Sequence, residues 1–409
     1  MFSRRTPSRT EENRLARALA ARTRPYVDLT ATNPTTAGLD LGGEEAAALL
    51  ADPRAATYAP DPKGLLSARE AVSGYYAAHG VPSGARDPGR IVLTASSSEA
   101  YSWLLKLLAA PGDAVLVPAP SYPLLDALAG LESVALRRYP LPPEDGFAVD
   151  PHLVAEAVAR SEAEGLRVAA VVLVAPNNPT GTGLTRDSFA ALSRLAARKG
   201  FAIVSDEVFL DYRYAAAPED VGVAAAEAEV ATDALVFSLG GLSKCAALPQ
   251  LKLGWILAGG PEPLLSEALD RLEWIADAFL SVGTPVQVAL PRLLDMAPRF
   301  AAAVRERVLR NEAALRAAFG ACAEGSAVSV LPVPAGWAAV LRVPATAPEE
   351  EFVLDLLEGE DLLVHPGHFF EFPHEAFLVL SLLPEPSLFD EGVRRLEGAL
   401  SPQGSSRLG

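Results

Sequence analysis

Reactive side chains of this chain stand directly after short apolar runs, and four such stretches carry chemistry. In Phe237-Ser-Leu-Gly-Gly-Leu-Ser-Lys244 a lysine follows an apolar run and a Gly-rich turn. A lysine in a mainly apolar setting is a candidate for a depressed pKa and for Schiff-base chemistry. Gly241 stands where a β-lactamase-type Ser-x-x-Lys would need serine, and Ser243 stands where a P-loop would need glycine. Taken alone, a lysine is usually a surface residue. In Ile203-Val-Ser-Asp-Glu-Val-Phe209, Asp206 directly follows a run. A carboxylate there can hold a protonated pyridine nitrogen, and it also suits a helix N-cap. Glu207 reads as a salt-bridge or surface carboxylate. In Val174-Ala-Pro-Asn-Asn-Pro-Thr-Gly181, Asn178 can donate to a ring oxygen or sit in an ordinary Asn-Pro turn. Thr94-Ala-Ser-Ser-Ser-Glu-Ala100 lies between an apolar run and an apolar helix. Hydroxyls and free N–H groups there suit a phosphate, while Ser96 and Glu99 also spell a capping box.

The elements that must position these residues alternate along the chain. Apolar runs at Ile91–Leu93, Ala114–Val117, Val168–Val174, Ala202–Val204, Ala234–Phe237 and Gly254–Ala258 are separated by helical patterns. Such alternation indicates an α/β fold with a mostly parallel sheet covered on both faces, with ligands beyond the carboxyl ends of the strands. The spacing predicts an N-terminal arm over residues 1–26 with a short helical pattern and a large domain over 45–290. A smaller α+β domain takes 27–44 and 291–400, and 401–409 form a frayed tail. In the smaller unit a helix over Arg299–Phe319 precedes strands at Ala327–Leu331, Gly336–Val343 and Leu378–Leu382 and helices at Pro348–Leu357 and Leu388–Leu400.

Composition narrows the class. Half the residues are hydrophobic, which excludes wholesale disorder. Thirty-five Lys and Arg against 51 Asp and Glu give a net charge of −16, the wrong sign for nucleic-acid binding. Cys245 and Cys322 make no disulfide framework and no CxxC motif. No segment has the roughly 20 apolar residues of a membrane span, and the N-terminus lacks a secretory signal's apolar core. The expectation is a cytoplasmic enzyme with no nucleic-acid or membrane partner.

Order and spacing of the motifs carry a resemblance. Tyr58-Ala-Pro-Asp-Pro-Lys-Gly64, the Ser96–Ser98 turn, Pro120-Ser-Tyr-Pro123, Asn178-Pro-Thr-Gly181, Asp206-Glu-Val and Leu242-Ser-Lys244 with Lys252-Leu-Gly254 follow one another in that order. From about Asp28 to Leu396 the chain resembles the fold-type I pyridoxal-phosphate enzymes of the class I/II aminotransferase family, the aspartate aminotransferase superfamily. The resemblance implies a large domain with a seven-stranded-type sheet, a pyridoxal 5'-phosphate cofactor and a homodimer. The implied reaction moves an amino group from an amino acid to a 2-oxo acid by a ping-pong cycle through pyridoxamine phosphate. A lyase, decarboxylase or cyclase on the same fold is the alternative.

Roles follow by position. Lys244 is implied as the Schiff-base lysine and proton shuttle, Asp206 as the partner of the pyridinium nitrogen and Asn178 as the donor to the ring oxygen. Tyr122 stacks on the ring; Ser97, Ser98, Ser243 and Lys252 hold the phosphate, and Tyr58 reaches in from the partner subunit. Four positions depart from the family pattern. Phe209 replaces the usual Tyr, which removes a hydrogen bond to the ring oxygen and should raise the Schiff-base pKa. Lys252 replaces an Arg and loses its bidentate fork, and Gly241 replaces a Ser. Val379 stands where the family has the Arg that binds the substrate α-carboxylate, and no Arg lies between Arg342 and Arg394. A carboxylate leaving water needs a charged or multiply donating partner. Arg5 or Arg342 is the expected substitute, with Arg4 and the histidines of the next segment as further candidates.

That segment, His365-Pro-Gly-His-Phe-Phe-Glu-Phe-Pro-His374, has three of the chain's five histidines. Its prolines and glycine forbid a single helical face of metal ligands, so no metal is expected. The resemblance puts it near the substrate entrance, where Phe369, Phe370 and Phe372 would form an aromatic gate favouring an apolar or aromatic substrate side chain.

Overall fold

The apolar runs become strands of one sheet because nearly every residue in them is buried. The computed structural model describes residues 2–6, 13–39, 42–214, 222–224, 226, 232–320, 328–345 and 347–400. The predicted tail at 401–409, Cys322 and the start of the predicted strand at Ala327 lie outside the described residues. The strands are β1 (Val27–Asp28), β2 (Ile91–Thr94), β3 (Ala114–Ala119), β4 (Ala135–Pro140), β5 (Val168–Val174), β6 (Ala202–Asp206), β7 (Val236–Gly241) and β8 (Gly254–Gly259). They continue with β9 (Ser329–Val330), β10 (Ala338–Arg342), β11 (Leu362–Leu363), β12 (His365–Pro366) and β13 (Phe377–Ser381).

The main sheet has seven strands in the order β2-β8-β7-β6-β5-β3-β4. Only β8 runs antiparallel to its neighbours. Alternate residues of β5 face opposite layers, which is the period-2 geometry of a strand. Val171 and Leu173 pack with Phe189 and Leu192 of helix Arg186–Lys199. Ala170 and Val172 pack with Trp103, Leu104 and Leu105 of helix Ser97–Leu108. β4 escaped the sequence reading because it is an edge strand bearing Arg137 and Arg138, a common protection of exposed edges. β7 ends four residues later than its apolar run. Gly240 admits the indole of Trp255, whose Nε1 would lie 2.5 Å from a Cβ there.

Four antiparallel strands, β12-β13-β10-β9, form a second sheet, and β1 pairs with β11. The predicted helix over Arg299–Phe319 in fact runs 36 residues, Thr284–Phe319, through Pro291 and Pro298. Two interior prolines argue locally against a helix. Its buried face overrides them: Leu290, Leu293, Phe300, Val304 and Val308 share a core with Leu341, Leu378 and Leu380. The predicted helical pattern near the N-terminus is helix Arg14–Ala21, with Leu15 buried. Among the described residues, no helix is long and apolar enough to cross a membrane.

Candidate active site

The carboxyl ends of β3, β5, β6 and β7 converge on one cavity of about 390 Å³. Lys244, Asp206, Asn178, Tyr122 and Ser97 line it together. Lys244 sits in the short helical turn Leu242–Cys245 that follows β7. Burial pushes its amine down to about 8, against the opposing pull of the Asp206 charge. Its Nζ lies 4.4 Å from the Trp337 ring centroid and 5.2 Å from that of Phe209. The Tyr212 hydroxyl donates to the Lys244 carbonyl at 2.8 Å and fixes the turn.

Asp206 ends β6, and because a turn rather than a helix follows it, its side chain caps a turn and not a helix N-terminus. Its Oδ1 accepts from the Val208 N–H at 3.2 Å, and its Oδ2 accepts from the Tyr101 hydroxyl at 3.0 Å. Burial raises its pKa, while those two donors and Lys244 oppose the rise. Tyr101 also lines the cavity and was missed in the sequence, where it read as part of an apolar helix. The available signal was its spacing: position 101 is one helical turn from Ser97 and shares its face.

The Ser96–Ser98 turn is a helix N-terminus, as expected. Ser96 is the N-cap, and its Oγ accepts from the Glu99 N–H at 3.2 Å. The return bond differs from a strict capping box, because Glu99 Oε2 accepts from the Ala95 N–H at 2.6 Å. Ser97 reaches the cavity; Ser98, Ser243 and Lys252 are not among its lining residues. Lys252 is exposed and takes a left-handed φ of 50°. Tyr122 is 55% exposed at the cavity's mouth. Tyr58 is 79% exposed and lines a separate small groove with Trp103 and Ser281. Beside Asn178, Asn177 is buried and donates to the Pro120 carbonyl at 3.3 Å.

The cavity is also lined by Val379, Ser381, Thr30, Thr32, His365 and Trp337. His365 belongs to the segment expected near the entrance, whereas Thr30, Thr32 and Trp337 lacked any local signal, since they come from segments far apart in the chain. Arg4, Arg5 and Arg342 are exposed, and none of them lines the cavity. Phe369 and Phe370 do line it, whereas Phe372 stacks on Phe377 at 4.5 Å in the core. The histidines of that segment are dispersed: His368 Nδ1 lies 3.5 Å from Glu349, and His374 packs on Phe377. Among the described residues no group of three or more potential metal ligands comes together.

Glu207 corrects the sequence reading. It is 2% exposed, and burial pushes its carboxyl up to about 7. It faces a different cavity with Tyr76, His79 and Arg213. The next residue after a strand end is thus as deeply buried as the strand itself.

Comparison with known proteins identifies the family. The family Aminotransferase class I and II matches residues 25–396. Mouse tyrosine aminotransferase is 28% identical over 342 residues, covering 81% of this chain and 71% of that one. Human tyrosine aminotransferase is 30% identical over 246 residues, 59% of this chain and 50% of that one. The chain therefore spans about half the length of some curated relatives it matches. The fold matches a Thermus thermophilus aspartate aminotransferase double mutant with a TM-score of 0.80 at 23% identity, over 98% and 100% of the two chains. It also matches alanine aminotransferase from Pyrococcus furiosus, with a TM-score of 0.79 at 22% identity over 94% of each. With the family's match running from before β1 into the last helix, the chain belongs to the aminotransferase class I and II family, whose members work with pyridoxal 5'-phosphate.

Proposed function

We propose that this chain moves an amino group from an amino acid to a 2-oxo acid in two half-reactions at the cavity beyond the carboxyl ends of β6 and β7. The observation that carries the reading is the pairing of a buried amine, Lys244, with a buried carboxylate, Asp206, in that one cavity.

The donor set fits the cofactor. Lys244 presents an amine that burial makes partly neutral near neutral pH, as covalent attachment to an aldehyde requires. Asp206 would hold the ring nitrogen, Asn178 the ring oxygen, and Ser97 with the first-turn N–H groups of its helix the phosphate. Ser98, Ser243 and Lys252 would complete the phosphate cradle, and Tyr122 would cover the ring. When bound, pyridoxal phosphate supplies an electron sink for the carbon that loses its proton. The chain's own residues do the rest. Asp206 keeps the ring nitrogen protonated, and Lys244 Nζ takes and returns the proton at the substrate carbon. Trp337, Phe369 and Phe370 exclude water and favour an apolar or aromatic substituent.

The same reading includes a homodimer in the cytoplasm. Trp274 and Phe279 are 77% and 52% exposed and share one apolar groove beside helix Leu264–Asp277. Large exposed aromatics in one patch mark an interaction surface. Tyr58 would reach from this side into the neighbour's site.

Absorbance of the purified protein tests the reading. With pyridoxal phosphate supplied, a visible band is expected that moves to the near-ultraviolet on adding an amino acid and returns on adding a 2-oxo acid. Bleaching with release of ammonia or carbon dioxide would replace amino transfer with a lyase or decarboxylase reaction. Absence of any band would overturn the role of Lys244.

A further inference from the structure

We propose that Tyr101 is a positioning residue for Asp206, holding the carboxylate in place and in its charged form so that the cofactor's ring nitrogen keeps its proton. The inference rests on the reading of Asp206 given above and adds a residue to it.

The geometry is specific. Asp206 Oδ2 accepts from Tyr101, and Oδ1 accepts from the Val208 backbone. The phenol is 3% exposed, and burial together with the Asp206 charge lifts its pKa well above the ordinary value. It therefore stays protonated and acts as a standing donor. The titratable groups facing Asp206 are Tyr101 and Lys244, with Tyr139 behind Tyr101 and its own hydroxyl donating to the Val172 carbonyl at 2.8 Å. Lys244 supports the Asp206 charge only while its amine is cationic. Once that amine gives up its proton, Tyr101 is the side-chain donor that continues to oppose the cost of a buried charge.

Position within the fold strengthens the case. Tyr101 and Ser97 are one turn apart on helix Ser97–Leu108, and both line the cavity. One rigid helix thus presents phosphate donors at its N-terminus and, a turn later, the brace for the ring-nitrogen partner. The spacing between the two ends of the cofactor site is set by a single element.

The direction of the effect follows. Without the phenol, Asp206 is the stronger base and draws the proton from the ring nitrogen. With the cofactor bound, loss of the ring nitrogen's proton would leave Lys244 Nζ more basic, so the visible band would persist to higher pH.

The test is a spectral titration of the holoprotein with Tyr101→Phe. The midpoint of the visible band is expected to rise by about one pH unit, and the dissociation constant for pyridoxal phosphate by about tenfold. In an Asp206→Asn background the same substitution should move the midpoint no further, because its route is gone. Tyr101→His, which restores an N–H donor, should bring the midpoint back towards the parent and serves if the Phe variant does not fold. An unchanged midpoint in a folded, cofactor-loaded variant overturns the proposal. So does a shift that persists beside Asp206→Asn. A parent protein with no visible band would instead sink the assignment of Lys244, a separately readable failure.

Discussion

Asp206 and Glu207 are adjacent in the chain, both deeply buried, and sit in two different cavities. Each has its pKa raised by burial. Their surroundings differ in what answers the charge. Asp206 has a donor on each oxygen and a lysine across the cavity. Glu207 Oε1 accepts from the Val223 N–H, and Arg213, Ser238 and His79 also favour its charge, but burial outweighs them all. Two neighbouring carboxylates thus take opposite tasks. One is braced to stay charged against a ligand, and the other is left to take up a proton near neutrality.

The sharpest way to break this contrast is to remove the amine that only one of them faces. Lys244→Ala should lower turnover by roughly 10⁴-fold and abolish the visible band, measured by steady-state kinetics and absorbance. Asp206→Asn should cost about 10²- to 10³-fold in kcat/KM, whereas Glu207→Gln should leave it within about threefold. Equal losses at the two positions would erase the distinction.

Stability should show the opposite ranking. The Glu207 carboxyl is raised from 4.5 to about 7, so the folded protein binds the extra proton between those values. Its contribution to stability is complete below pH 4.5 and is lost as pH rises through about 7. Glu207→Gln should remove that fall and gain about 2 kcal/mol at pH 8, read from denaturant midpoints across pH. A pH profile identical to the parent's would show that Glu207 is not the titrating group.

A milder effect is expected at the substrate wall. Phe370→Ala should shrink the preference for aromatic over small amino donors by about tenfold. Arg342 is exposed and outside the cavity, so Arg342→Met should leave the amino-donor KM unchanged; a large rise would restore Arg342 as the carboxylate partner.

The central sheet is legible in the sequence because a strand buried on both faces must be apolar throughout, as Val168–Val174 is. The charged edge strand β4 was invisible for the converse reason. The helix Thr284–Phe319 was read too short, since Pro291 and Pro298 speak locally while the packing of Phe300 and Val304 against the second sheet does not.

For the site, the sequence by itself determined the residues that leave strands: Lys244, Asp206, Asn178 and Ser97 follow apolar runs, and parallel strands deliver such residues to one edge. Only the tertiary structure decided what surrounds them. Trp337, Thr30 and Thr32 reach the same cavity from loops, and nothing in their local sequence says which cavity they will share. Nor does a dipeptide reveal that Asp206 is answered by a phenol and Glu207 only in part. The physical reason is that a charge's cost is set by the groups within a few ångströms in space, and those come from positions as distant as 105 residues along the chain.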